Sequence, residues 1–363
     1  MQRALSKRFG LPAPLLTSGA SAGLYFVLKI LTGRKIYLPA YTCRALIEAC
    51  FFAGRIDDVC LVDIDLETFG MNLDALDNNI VPGSIIVATH QFGIPADMHR
   101  VRTIANRTNS VVIEDNAAAF GARLFGRATG TFGDVALLSF DYTKTLSACG
   151  GGAVFFRDAA LQHAVEQLMR REMYPAQSMA AGNLLRGLLY NVATQENIYG
   201  RVTFPLWKFL NGPYQDHGEL RTDRLQVYRK PFGALQARTA LQALDRIDSV
   251  LARRKQIESI YSARLKGHPS LATYTPLPES ETALLMFPIR VTQGEKIIFH
   301  QQCAAQGVDL GFTFSYVNKL GKGIGQLANS QLAAAQVLNV PLYSKLTDKH
   351  IDRVCKIVLC HHP

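Results

Sequence analysis

Residues 139–152 read SFDYTKTLSACGGG. An apolar run, DVALLSF at 134–140, delivers a lone lysine, Lys144, into a loop that ends on Gly150-Gly151-Gly152, with Ser139 five residues ahead of the amine. In most proteins a lysine so placed is a solvated loop charge. In a few it is an amine held in a pocket for chemistry, and the surrounding chain has to decide between the two.

Outward from that loop, the first 160 residues repeat one pattern. Short apolar runs (KIYLPA at 35–40, DVCLVDID at 58–65, SIIVATHQFG at 84–93, SVVIEDN at 110–116, DVALLSFD at 134–141, GGAVFFRD at 151–158) are separated in several places by amphipathic helical segments. Strands alternating with helices imply βαβ units and a mainly parallel sheet covered on both faces. Ligands of such sheets lie at the carboxyl ends of the strands. Polar residues stand at those ends: Thr42, His90, Gln91, Asp115 and Ser139.

Residues of about 158–230 read differently, as a helical insertion whose apolar patches, NLLRGLLYNV at 183–192 and FPLWKFL at 204–210, are broken by Gly and Pro. Packing against the domain or a subunit neighbour is the ordinary reading. A lid or a membrane-surface contact is the alternative, because apolar and basic residues mix here. From Phe232 to Leu265 apolar residues recur at spacings of three and four, a long helical pattern. LLMFPIRV at 284–291, KIIFHQQCAAQG at 296–307 and a last helix after VPLYSKLTDKH complete a compact α+β C-terminal domain.

With 363 residues, 48% of them hydrophobic, the chain can bury a large core and a smaller one. A net charge of +10 invites a nucleic-acid reading. The basic residues are scattered, however, and no helix-turn-helix, zinc finger or aromatic RNA-binding signature accompanies them, so no nucleic acid is expected; a phosphorylated small substrate fits better. Seven cysteines with no CxxC pair indicate neither a disulfide framework nor a zinc site, and suit a reducing cytoplasm. No His/Asp/Glu spacing supports a metal. Pro12, Pro14, Ser18 and Gly19 interrupt the uncharged stretch after Arg8, which argues against a signal peptide. No stretch is long and apolar enough to span a bilayer.

Asp115 closes a hydrophobic strand, where a carboxylate is costly unless a cation or donors compensate it. A protonated pyridine nitrogen is one such cation, and capping of the next helix is the plainer use. TSGASAG at 17–23 opens the helical LYFVLKIL, and a Ser/Gly turn at a helix start suits a phosphate as well as an N-cap by Ser18 or Ser21. The same turn also looks like that of a short-chain dehydrogenase, but prolines precede it and Tyr142 lies only two residues before Lys144, so the Tyr-x-x-x-Lys that such an enzyme needs is missing. His90 could line the site, though a hydrogen bond within its loop is the commoner outcome. Phosphate turn, strand-end acid and loop lysine together are what pyridoxal phosphate requires of a protein.

Taken in order, SGASAGL, LPAYTC, VDID, HQFGIPADMHRVRTIA, VVIEDNAAAFGA, GTFGDVALLSF, SFDYTK, GGGAVFF, the helix text ALQARTALQALDRIDSVLARRKQIESIYSARL and the closing NVPLYSKLTDKHIDRV resemble the nucleotide-sugar aminotransferases of the DegT/StrS type. The resemblance covers nearly the whole chain apart from 158–230. It implies an α/β protein of the fold type I pyridoxal-phosphate transferases. The expected large domain, residues 1–230 with the insertion, is built on a mainly parallel seven-stranded sheet, and a smaller α+β domain follows at 231–363.

By the same resemblance Lys144 matches the lysine that bonds the cofactor aldehyde and then shuttles protons, and Asp115 the acid that pairs with the pyridine nitrogen. Ser139 matches a phosphate ligand, and Ser21 and Ala22 the phosphate turn. The ring-covering position of the LPAYTC loop falls on Cys43, with Tyr41 close by. Ala118 stands where the family commonly has Gln or His against the cofactor's phenolic oxygen, Gly150 where many members have Glu, and no Asn near Arg229 and Lys230 matches the one that reaches a partner's phosphate. The implied activity is pyridoxal-phosphate-dependent transfer of an amino group from glutamate or glutamine to a keto sugar on a nucleotide, for polysaccharide or glycoconjugate synthesis, in a cytoplasmic homodimer. Lys144 argues against the sugar dehydratases, which carry histidine there. A member that binds cofactor or a partner without turnover is the alternative.

Overall fold

A computed structural model describes residues 1–174, 187–190, 192–195, 198–203, 205–206, 225–317 and 320–360. Most of the NLLRGLLYNV and FPLWKFL patches, and with them much of the expected insertion, lie outside the described residues. In chain order the strands are β1 (Leu15–Thr17), β2 (Ile36–Pro39), β3 (Tyr41–Thr42), β4 (Val59–Val62), β5 (Ile85–Thr89), β6 (Val111–Asp115), β7 (Arg123–Leu124), β8 (Arg127–Ala128), β9 (Val135–Ser139) and β10 (Gly152–Phe156). The C-terminal part adds β11 (Leu271–Thr273), β12 (Ser280–Glu281), β13 (Phe287–Val291), β14 (Ser315–Tyr316), β15 (Lys322–Gly323) and β16 (Val337–Val340).

The large sheet has the order β1-β10-β9-β6-β5-β2-β4-β15. Strands β9, β6, β5, β2, β4 and β15 run parallel, and β10 is antiparallel to both its neighbours. The mainly parallel sheet implied by the resemblance is therefore present, and the two-residue β15 extends its seven strands to eight. Every residue of β2 and β5 is buried, the continuous burial of a strand covered on both faces.

Helices α1 (Gln2–Phe9), α2 (Ala20–Ile30), α3 (Arg44–Phe52), α4 (Leu73–Asn79), α5 (Met98–Thr108) and α6 (Ala159–Glu172) belong to this part of the chain. Helix α2 buries every residue from Ala22 to Leu28 and shares one core with α3, α6 and the sheet, which is why it is apolar all round. In the C-terminal part, β11, β13 and β16 form an antiparallel sheet whose core includes Tyr261, Phe287 and Phe299.

The helical pattern of 232–265 is two helices, Ala234–Asp245 and Ile247–Leu265, separated at Arg246, whose φ of −107° and ψ of 1° leave the helical region. Ala240 and Ile247 pack in a core of the large sheet, whereas Ile257, Tyr261 and Leu265 pack in the C-terminal core, so the second helix spans both. Arg254 on that helix is 9% exposed and donates to the carbonyls of Leu284 (2.9 Å) and Leu285 (3.0 Å). Burial pulls its guanidinium down to about 10. The segment it holds bonds in turn to the HQFG loop, Ala283 N–H to the Gly93 carbonyl and Leu285 N–H to that of Phe92.

Strands β9 and β10 form a hairpin whose connection, 140–151, carries Lys144. Phe140 closes it: its carbonyl accepts from Ala148 N–H (2.8 Å) and Gly150 N–H (3.1 Å), and its own N–H donates to Gly151 (2.8 Å). Just past the loop, Gly152 lies so near the start of α2 that a Cβ there would come within 2.6 Å of Ala20 N, Gly19 C and Leu138 O, all of them backbone. Gly152→Ala should therefore cost about 1–3 kcal/mol of stability as an overpacked site, read as a lower urea midpoint; an unchanged midpoint would refute the close approach.

Candidate active site

Strand register builds the site. Thr89 of β5 pairs with Asp115 of β6, and Asp115 with Leu137 of β9. Ser139, two residues further along β9, pairs with Gly152, and Gly152 with Thr17 of β1. At about 4.8 Å between strands, the carboxyl edge of the sheet brings the end of β6, the end of β9 and the entry to α2 into one row.

Asp115 and Lys144 come within electrostatic range of each other there. Burial raises the Asp115 carboxyl above its ordinary value, against the Ala117 N–H that donates to it (3.0 Å) and the electrostatic pull of Lys144. Lys144 sits at the close of a turn, its N–H donating to the Asp141 carbonyl at 3.0 Å. Two hydroxyls beside this pair, Thr89 Oγ1 and Thr145 Oγ1, are buried without a hydrogen-bond partner among the described residues. Buried polar atoms are rarely left so, and an ordered polar ligand or water is what they lack.

Helix α2 starts on Gly19 with no side-chain cap. The N-cap reading of Ser18 and Ser21 is thereby corrected: Ser18 Oγ donates to the Tyr228 carbonyl (3.4 Å), and Ser21 lies inside the first turn. Ala20, Ser21 and Ala22 consequently present first-turn amides with no acceptor inside the helix, at the positive end of its dipole. Tyr228 closes over this entry, 4% exposed, its ring against Tyr25 and Phe52. Burial pushes its phenol up and interaction with the Ser21 hydroxyl draws it down.

The polar strand-end residues divide by role. His90 Nδ1 accepts from Ala96 N–H (2.9 Å), so its Nε2 carries the proton and donates to Glu114 Oε1 (2.8 Å). Glu114, fully buried, also accepts from the N–H groups of Gly130 (2.6 Å), Phe132 (2.7 Å) and Gly133 (2.8 Å). Burial alone would raise its pKa; the bond from His90 and the Gly130 and Gly133 amides overcome this and hold it below the ordinary range. His90 is thus bonded within its loop. Gln91 donates to the Tyr41 carbonyl, and Thr42 pairs with Ser315.

Of the two LPAYTC residues offered for covering a cofactor ring, Tyr41 is 2% exposed and packs in the C-terminal core, edge-on to Phe314. Cys43 is the one beside the site. Burial raises its thiol, and Lys144 and Asp115 both act on it electrostatically, in opposite senses. Ala118 lies in the turn directly after Asp115, and Arg229 is paired with Glu172 (3.4 Å). The sequence reading passed over Glu114 and Tyr228. Glu114 was findable, because two consecutive acids on a strand must face opposite sides; Tyr228, two hundred residues from Ser21, left no such signal.

The model of the DegT/DnrJ/EryC1/StrS aminotransferase family matches residues 7–196 and 222–359. Among curated relatives, UDP-N-acetyl-3-dehydro-alpha-D-glucosamine 3-aminotransferase of Acidithiobacillus ferrooxidans is 34% identical over 143 residues, 39% of this chain and 38% of that protein. GDP-perosamine synthase of Escherichia coli O157:H7 is 34% identical over 135 residues, 37% of this chain and 36% of that protein. The chain thus matches under two-fifths of the length of either relative. Among solved structures, the aminotransferase TlmJ of Streptoalloteichus hindustanus superposes with a TM-score of 0.78 at 21% identity, over 99% of this chain and 88% of that one.

The two neighbouring acids should respond to pH with opposite signs. Glu114, depressed from 4.5, gives stability that is complete above that value and is lost as pH falls through its lower folded pKa. Asp115, raised from 3.8, gives stability that is present below that value and is lost as pH rises through its higher folded pKa. In urea unfolding at pH 8 without cofactor, Asp115→Asn should be more stable than the unaltered chain, and Glu114→Gln less stable by about 1–3 kcal/mol, since its amide meets N–H donors. Equal midpoints for Asp115→Asn and the unaltered chain would contradict the burial cost.

Proposed function

Because the chain belongs to the DegT/DnrJ/EryC1/StrS aminotransferase family, whose members work with pyridoxal phosphate, we propose that it is a pyridoxal-phosphate-dependent aminotransferase acting on a keto sugar carried by a nucleotide. The observation that carries this reading is that Lys144 lies within electrostatic range of the buried Asp115 carboxyl at the carboxyl edge of the sheet, next to the uncapped start of α2. The chemistry of the residues fits the cofactor: the α2 amides with Ser21 and Ser139 would hold a phosphate, Asp115 a ring N–H, and the orphan Thr89 and Thr145 hydroxyls further polar atoms.

Bound there, pyridoxal phosphate supplies the electron sink that lets an amino group exchange with a keto oxygen. Lys144 Nζ would hold the cofactor aldehyde and would afterwards take the proton from, or return it to, the substrate carbon that bears the nitrogen, which would require the amine to be neutral for part of the cycle. Asp115, anionic opposite a ring cation, keeps that cation protonated. Cys43 offers a sulfur where the family commonly offers an aromatic face, and Ala118 only a methyl, so Lys144, Asp115 and the α2 turn carry most of the cofactor's orientation.

Glutamate or glutamine is the proposed amino donor. The net charge of +10 favours a substrate with an anionic diphosphate. A cytoplasmic homodimer with products destined for a polysaccharide or glycoconjugate completes the reading. The purified chain with pyridoxal phosphate should turn yellow, borohydride should fix the cofactor to Lys144, and glutamate or glutamine should discharge the colour. Lys144→Ala should lower amino transfer to a nucleotide keto sugar by more than about 10²–10⁴-fold, the contribution of a positioned proton-transfer group. Colour that no amino donor discharges would overturn the proposal in favour of cofactor binding without turnover.

A further inference from the structure

Residues 187–190, GLLY, form one helical turn within the stretch that follows α6. Residues three apart on a helix share a face, and here Gly187 and Tyr190 touch the lysine loop, Tyr190 while 43% exposed, and Leu188 and Leu189 are 62% and 59% exposed. Gly187 is buried. A Cβ on it would come within 2.4 Å of Cys149 Sγ and 3.1 Å of Cys149 Cβ, with Tyr142 Cε1 at 3.5 Å, so a side chain here would have to displace Cys149 or the turn. One turn on, the Tyr190 ring lies 5.7 Å from that of Tyr142, tilted by 33°.

Both contacts fall on the loop that presents Lys144. Tyr142 is the second residue of the turn that Lys144 N–H closes onto the Asp141 carbonyl. Cys149, at φ 58°, begins three successive left-handed residues, Cys149, Gly150 and Gly151, that lead the chain into β10. The helical turn therefore touches the loop on each side of the lysine. The same stretch is fastened again further on, where the Tyr199 hydroxyl donates to Asp309.

We propose that Gly187 and Tyr190 are positioning residues for Lys144, clamping its loop at Tyr142 and Cys149 and so fixing the direction of the amine. This rests on the reading of Lys144 as the cofactor-bonding amine. It also gives the 158–230 stretch a role inside its own subunit, next to the reacting group.

The experiment uses the full chain. Gly187→Ala should crowd Cys149 and slow borohydride fixation at Lys144. Tyr190→Ala should weaken pyridoxal-phosphate binding, followed by visible absorbance, about 3- to 10-fold, the scale of one aromatic pair, and slow borohydride fixation at Lys144. Tyr190→Phe should restore both, and the thermal midpoints without cofactor should agree, which separates positioning from general stability. Fixation in Gly187→Ala at the unaltered rate, or Tyr190→Ala binding the cofactor as the unaltered chain does, overturns the clamp. If borohydride fixes nothing to Lys144 in the unaltered chain, the positioning role falls together with the functional reading, whereas fixation that both variants leave unchanged removes the clamp alone.

Discussion

Burial drives the Asp115 carboxyl toward its neutral form, and the Lys144 ammonium and the Ala117 amide pull it back. The remaining features of the site follow from holding these two groups in opposition at the edge of a sheet. Alone, neither would stay: an uncompensated carboxylate in that position favours protonation, and a free lysine favours water. A ligand that brings a cation to Asp115 and a covalent partner to Lys144 relieves both. Binding and folding are then linked, because whatever occupies the native site and not the unfolded chain adds to stability.

The sheet separates support from chemistry by its own alternation. Glu114 and Asp115 are neighbours in sequence and face opposite ways. The first is saturated with four donors and ties His90 and the 130–133 loop to the strand end. The second keeps one amide donor and is left open to other partners. Adjacent carboxyls thereby acquire different protonation behaviour from environment alone, and His90, bonded on both ring nitrogens, is occupied with holding Glu114.

How much of this was legible in the sequence depends on its range along the chain. The parallel sheet could be read because each strand is an uninterrupted apolar run between helical segments, and Lys144, Asp115 and Ser139 because strand ends are where such sheets keep their polar groups. In the LPAYTC loop, strand pairing turns Tyr41 into the C-terminal core, against Phe314, a residue that no local pattern ties to it. The break at Arg246 was hidden, since apolar spacing continues across it. Tyr228 over Ser21 and Gly187 against Cys149 are contacts between distant segments, and in the sequence each is only one tyrosine or one glycine among many.

The two-residue strand β15 pairs with β4 across more than two hundred and fifty intervening residues, Lys322 opposite Cys60 and Gly323 opposite Leu61. Until Lys322–Gly323 has left the ribosome, β4 is an open border with unpaired peptide groups, the kind that recruits other chains. Completion of the sheet is thus deferred to a late point of synthesis, and a nascent molecule halted before it is a template for self-association, a hazard that long-range pairings carry during folding.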